Sequence, residues 1–137
     1  RALACDHVAV TGFVEDIRPH VARAAVFVSP LRKGAGIKNK LLQAWAMGKA
    51  TVATEASSGG LAVQDGVNIC IRSGPAEFSA AVVSLLRDPA RRQALGQAAR
   101  RTILQRYTWQ GQADELEALM RDMAGEPRGR PTYAKSA

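Results

Sequence analysis

The apolar positions of the chain change their rhythm at Gly74. Before it, short apolar runs alternate with amphipathic segments; after it, apolar residues recur only at helical spacing. HVAVTGFV (residues 7–14) is rich in β-branched residues and predicts a buried strand ending in a turn at Gly12. Asp16 then caps a helix with Pro19 in its first turn and Val21, Ala24 and Ala25 on its inner face. AVFVSP (residues 25–30) predicts a second strand, stopped by Pro30. A loop over residues 31–36 leads to a helix from about Ile37 to Met47, terminated by Gly48. ATVAT (residues 50–54) reads as a third strand, EASSGGL (residues 55–61) as loop, and NICIRS (residues 68–73) as a fourth strand.

Strands that are apolar throughout, alternating with helices, predict a parallel sheet covered by helices on both faces: an α/β, Rossmann-like class. Three helices follow. One runs from Pro75 to Asp88, one from about Pro89 to Tyr107, and Thr108 caps a third carrying Leu116, Leu119 and Met123. From Gly125 onward Pro, Gly, Arg and Lys dominate without periodicity. The expected organisation is therefore one α/β domain over residues 1–124 and a disordered tail over 125–137. A doubly wound sheet holds about five or six strands. Four strands, with one almost at the start, lead us to expect a domain truncated at its beginning.

Composition adds limits rather than detail. Apolar residues at 47% and charged residues at 23% of 137 fit a soluble globular domain and exclude wholesale disorder. No apolar run is long enough to span a bilayer, and no secretory pattern opens the chain. Cys5 and Cys70 are far apart and without a CxxC partner, which excludes a disulfide framework or a cysteine-rich zinc site. A reducing cytoplasm is the expected compartment.

The charge pattern says more. No acidic residue falls between Ile17 and Thr54, a stretch that holds Arg18, Arg23, Arg32, Lys33, Lys38, Lys40 and Lys49. Such a block attracts an anion: a phosphate-bearing small molecule, a nucleic acid or an acidic membrane surface. Nucleic acid is disfavoured, because the seven aromatics are not interleaved with the basic clusters as stacking platforms. A second basic excess (Arg87, Arg91, Arg92, Arg100, Arg101, Arg106) reads as a solvated helix face, with peripheral contact to anionic lipid as the sharper alternative.

Candidate chemistry concentrates in SPLRKGAGIKNKLLQAWAMGK (residues 29–49). Open α/β sheets bind ligands beyond the carboxyl ends of their strands. Here a strand ends at Pro30, and Gly34 and Gly36 open a helix. The free N–H groups of Gly36, Ile37 and Lys38 would meet a ligand with the positive end of the helix dipole, backed by Lys33, Lys38 and Lys40. These parts make a diphosphate cradle; equally, glycines before a helix serve as turn residues. Lys40, Gln43 and Met47 share one helix face, and Ile37, Leu41, Ala44 and Trp45 share a core face. His7 and His20 are isolated, no serine elbow or HExxH occurs, and nothing unites Glu55 with Asp65. No catalytic residue or metal ligand is assigned.

The run TGFVEDIRPHVARAAVFVSPLRKGAGIKNKLLQAWAMGKATVAT resembles the carboxyl-terminal, donor-binding domain of family 4 retaining glycosyltransferases of the GT-B fold. SLLRDPARRQALGQAARRTILQRYTW is similar to that family's trailing helices, with Tyr107 and Trp109 where the chain crosses back toward the amino-terminal domain. The likeness covers about residues 7–120, and GIKNK looks most like transferases of exopolysaccharide assembly. The resemblance implies transfer of a sugar from a nucleotide diphosphate sugar to a hydroxyl acceptor, with retention and with no cofactor or required metal. It implies base contacts from Gly12, Phe13 and Val14, and backbone approach to the diphosphate and sugar from Gly34, Ala35, Gly36 and Ile37.

This sequence departs from the family at several positions. Gln43 stands where a glutamate usually bonds the ribose hydroxyls, which removes a charge-assisted contact. Ala35 and Gly59 stand at other frequent glutamate positions, and Ala50 replaces a proline. The basic pair that grips the diphosphate, and the acceptor-holding domain, would lie upstream of Arg1. Half a cleft cannot bring donor and acceptor together, so these 137 residues alone are expected to show no turnover. The alternatives are a non-catalytic nucleotide-sugar or phosphate-binding module, and a basic domain acting on anionic surfaces.

Overall fold

A computed structural model describes residues 6–33 and 38–124. The chain runs α1 (Arg18–Arg23), β1 (Phe27–Ser29), α2 (Asn39–Ala46), β2 (Thr51–Ala53), α3 (Glu55–Ser58), β3 (Cys70–Ile71), α4 (Pro75–Arg87), α5 (Pro89–Arg106) and α6 (Trp109–Met123). The strands form one parallel sheet in the order β1-β2-β3, with Phe27 opposite Thr51 and Val52 opposite Cys70.

Side chains alternate across β2, and each parity meets a different helix. Ala53 packs with Leu41 and Trp45 of α2 and Ala99 of α5, together with Ile69. Val52 points the other way, into a cluster of Ala50, Cys70, Leu85 of α4 and Leu95 of α5. Helices thus cover both faces, as the uniformly apolar strands predict. α5 contributes to both clusters by passing the amino end of β2: a Cβ on Gly96 would lie 2.0 Å from the Gly48 carbonyl oxygen. Only a glycine fits there, and Gly48 itself turns the chain with φ +66°.

Three expectations are corrected. Residues 7–14 form no ladder strand: apart from an isolated bridge at Val8 they are irregular, and Val8, Val10 and Phe13 are exposed, Phe13 at 95%. A parallel strand needs cover on both faces, and α1 buries only Val21. Among the described residues the sheet therefore has three strands, not four, and nothing pairs with the outer edge of β1. EASSGGL is not all loop, because Thr54 accepts from the Ser57 N–H and caps the single turn α3. The strands are also shorter than their apolar runs, down to two residues in β3.

The helix ends follow the sequence signals. At α1, however, the N-cap is Ile17 rather than the expected Asp16, which sits one residue earlier, accepts from the Arg18 N–H and pairs with the Arg18 guanidinium at 2.9 Å. Asp88 caps α5 through the Arg91 N–H, and Thr108 caps α6 through the Gly111 N–H. Two cations of the basic excess hold carbonyls rather than facing a ligand. Lys49 Nζ donates to Ala22 O (2.6 Å) and Ala24 O (3.1 Å) at the end of α1. Arg92 Nη1 donates to Leu85 O (2.6 Å) and Leu86 O (2.7 Å) at the end of α4. No helix among the described residues is long and apolar enough to cross a membrane. The expected tail, residues 125–137, lies outside the described residues.

Candidate donor site at the carboxyl rim

All three strands run the same way, so their carboxyl ends open on one rim, and each exit places a polar or glycine segment there. β1 exits into Pro30, Leu31, Arg32 and Lys33; β2 into Thr54 and α3; β3 into Arg72, Ser73 and Gly74 before α4. A cavity of about 360 Å³ lies between these exits, lined by Pro30, Arg32, Thr54, Ser73, Gly74, Pro75, Phe78 and Ser79. That volume falls within the range of small-molecule sites.

Among the described residues Arg32 is the one charged residue in this wall, and the Glu77 carboxylate lies behind Gly74, its Oε2 3.7 Å from where a Gly74 Cβ would stand. Gly74 and Pro75 open the 13-residue helix α4, whose first-turn N–H groups have no partner within the helix. A cation, hydroxyls and a helix amino end suit an anionic, oxygen-rich ligand. Phe78 adds an apolar floor and also touches the cluster around Val52.

A hydroxyl network shapes the rim. Ser57 Oγ donates to Ser29 O (2.7 Å) and accepts from the Leu31 N–H (3.2 Å) and Ser29 Oγ (3.0 Å). Thr54 Oγ1 donates to Leu31 O (2.5 Å). On the far side of β3, the Ile71 N–H donates to Asp65 Oδ1 (2.8 Å) and Arg72 pairs with Oδ2 (3.0 Å). The Ile71 N–H first, and the Arg72 guanidinium after it, hold the Asp65 carboxyl below the usual carboxylate range. Asp65 therefore pins the end of β3. Burial pushes the Cys70 thiol up, away from the reactive thiolate.

Six of the ten sequence-predicted site residues are described. Gly34, Ala35, Gly36 and Ile37 lie outside the described residues, and with them two of the three amides of the expected diphosphate cradle, those of Gly36 and Ile37. Lys38 occupies the N-cap of α2, half-buried, its carbonyl accepting from the Leu41 and Leu42 N–H groups. Lys40 and Gln43 are exposed on the first turns of α2. Gly12 takes the left-handed φ of +69° that a glycine turn requires, followed by exposed Phe13 and half-buried Val14. None of the described ones, Gly12, Phe13, Val14, Lys38, Lys40 and Gln43, lines the rim cavity. Sequence reasoning missed Arg32 as a wall residue, together with Thr54, Ser73 and Ser79. The signal was available for the first three, since each follows a strand's carboxyl end.

A larger cavity, about 520 Å³, sits between the Gly60–Ala62 segment and the α5–α6 turn, against Gln105, Arg106, Tyr107, Gln112 and Glu115. It opposes Arg106 with a carboxylate and draws no wall from β1 or β3, so the rim is the better candidate.

The model of the family described as Glycosyl transferases group 1 matches residues 1–88, which span every strand and the whole described rim. The chain belongs to that family. It is a glycosyltransferase domain of the GT-B type, built on a partial Rossmann-like sheet, and sugar-donor binding is part of that membership. The match ends at Asp88, so α5 and α6 lie beyond it. No curated protein matches the chain.

Proposed function

We propose that the chain is the donor-binding half of a retaining, family 4 glycosyltransferase of the exopolysaccharide type. On this reading it takes a nucleotide diphosphate sugar at the carboxyl rim and, with an acceptor-holding domain, passes the hexosyl group to a hydroxyl. The observation that carries the reading is a cavity at three strand ends whose one charged wall residue, among the described residues, is Arg32. Such a wall attracts a diphosphate, with the Glu77 carboxylate of the first turn of α4 set behind Gly74 rather than in the wall.

Retention requires the acceptor oxygen to reach the anomeric carbon from the face that the diphosphate leaves. The bond to the diphosphate oxygen breaks, the bond to the acceptor oxygen forms, and the acceptor proton passes to the departing diphosphate. The part of Arg32 and the rim dipoles is to stabilise charge that grows on that leaving group. Gln43 in place of a glutamate leaves a neutral partner for ribose.

The experiment is calorimetric titration of the chain with UDP, GDP and ADP, with turnover measured in parallel. We expect binding of one diphosphate over the others, weakened on Arg32→Ala and at high salt, and no sugar transfer by the 137-residue chain. Absence of binding to all three, or an affinity indifferent to Arg32→Ala and salt, overturns the donor reading. Turnover by the chain alone overturns the half-cleft argument.

A further inference from the structure

We propose that Thr54 and Ser57 are positioning residues: their hydroxyls hold the loop leaving β1 at the carboxyl rim, and thereby set the rim's affinity for a nucleoside diphosphate. The affinity part rests on the donor reading above.

The loop leaves the sheet early. Its last ladder bond is from the Thr54 N–H to Ser29 O (3.2 Å), and Pro30 has no N–H to offer. Leu31 is the first residue beyond the sheet with two backbone groups to satisfy. Its N–H donates to Ser57 Oγ and its carbonyl accepts from Thr54 Oγ1. The side chains of Thr54 and of Ser57 in α3 thus do here what a neighbouring strand does elsewhere in the sheet.

Counting protons shows that the network closes. Thr54 has one hydroxyl hydrogen, with Leu31 O as its nearer acceptor and Ser57 Oγ at 3.1 Å, and an oxygen that accepts from the Ser57 N–H (3.3 Å). Ser57 has one, directed at Ser29 O, and its lone pairs take the Leu31 N–H and the Ser29 hydroxyl. Each hydroxyl hydrogen has an acceptor, and that of Thr54 has two within reach, Leu31 O and Ser57 Oγ. Ser57 is 1% and Thr54 8% exposed, so water cannot replace either hydroxyl without opening the rim. The Thr54 hydroxyl also caps α3 through the Ser57 N–H, and a four-residue helix has little else to hold it in place.

The residue after Leu31 is Arg32, the charged wall of the cavity. Where the Leu31 backbone is fixed, the start of the Arg32 side chain is fixed too. Releasing Leu31 disperses that charge over more loop conformations, and an anion then has to restrict them on binding.

The test uses the whole chain in three variants: Thr54→Val, which keeps shape and removes the hydroxyl, Ser57→Ala, and Thr54→Ser, which keeps the hydroxyl. Amide hydrogen exchange is read at Leu31 and, as a control, at Val52 in β2, and UDP, GDP and ADP are titrated. Thr54→Val and Ser57→Ala should each speed Leu31 exchange and weaken the bound nucleotide by on the order of tenfold, with Val52 protection retained. Thr54→Ser should restore both. Unchanged Leu31 exchange in the two hydroxyl-free variants overturns the clamp. Faster Leu31 exchange with undiminished nucleotide affinity overturns its role in binding. If the parent chain binds none of the nucleotides, the donor reading fails and takes the affinity part with it, while Leu31 exchange still decides the clamp.

Discussion

Replacing Gly96 by alanine sets two physical effects against each other with known signs. Gly96 lies inside the 18-residue helix α5, where helix propensity alone favours alanine by about 1 kcal/mol. Its φ is not in the left-handed region, so the backbone raises no objection. The objection comes from space. The new Cβ would meet Gly48 O at 2.0 Å, Gly48 C at 2.8 Å and Ala50 N at 3.4 Å, all backbone atoms leading into the central strand. Real Cβ atoms essentially never approach a heavy atom within 3.0 Å, so α5 and the Gly48 turn must part by about 1 Å. Leu95, Ala98 and Ala99 are buried on either side of Gly96, and that separation loosens both core clusters at once. Overpacking costs about 1–3 kcal/mol where side chains can yield, and rigid backbone belongs at the upper end. Subtracting the propensity gain leaves a net loss of about 2 kcal/mol.

The comparison variant is Gly48→Ala, whose φ of +66° is strained but whose Cβ meets only Gly96 O at 3.8 Å. Strain of that kind costs about 1 kcal/mol. The reasoning therefore ranks Gly96→Ala below Gly48→Ala in stability, against what backbone angles alone would predict. Urea unfolding followed by tryptophan fluorescence reads this directly in a Trp109→Phe background. Trp109 is 92% exposed, so its removal leaves the fully buried Trp45 as the reporter. A Gly96→Ala protein as stable as the parent, or more stable than Gly48→Ala, refutes the close-packing account.

Two further outcomes follow from particular hydrogen bonds. Tyr107 Oη accepts from the Ala62 N–H at 2.7 Å and ties the end of α5 to the loop before β3, so Tyr107→Phe should lower stability by about 1 kcal/mol without altering the urea m-value. Asp65 titrates lower in the folded chain than in the unfolded one, so its contribution is fully present above about pH 4 and is lost as pH falls through the folded value. Asp65→Asn should therefore destabilise at pH 7, with the gap to the parent closing as the pH is lowered. Parallel stability curves from pH 7 to pH 2 would show that Asp65 does not act through its charge.

What was legible in the sequence depended on whether the deciding partner was local. Helices α4, α5 and α6 carry their own boundary signals in Pro75, Asp88-Pro89 and Thr108, and they begin where those residues place them. The core face of α2 was equally readable, because Leu41, Ala44 and Trp45 recur at helical spacing and are all buried. Residues 7–14 have the composition of a strand, yet a strand exists only against a neighbour and beneath a covering layer. No local pattern reports whether either is there. The basic block failed as a map for the same reason. Its charge count was right, but Lys49 lies at the amino end of β2 holding the carbonyls of α1, at the opposite end from the rim. Arg32, in the same block, reaches the rim because it follows a strand's exit. Position relative to the strand ends, more than the sum of charge, decides which cations face a ligand. In this chain that position is held by the hydroxyls of Thr54, at the end of β2, and of Ser57, in a segment that composition alone marks as loop.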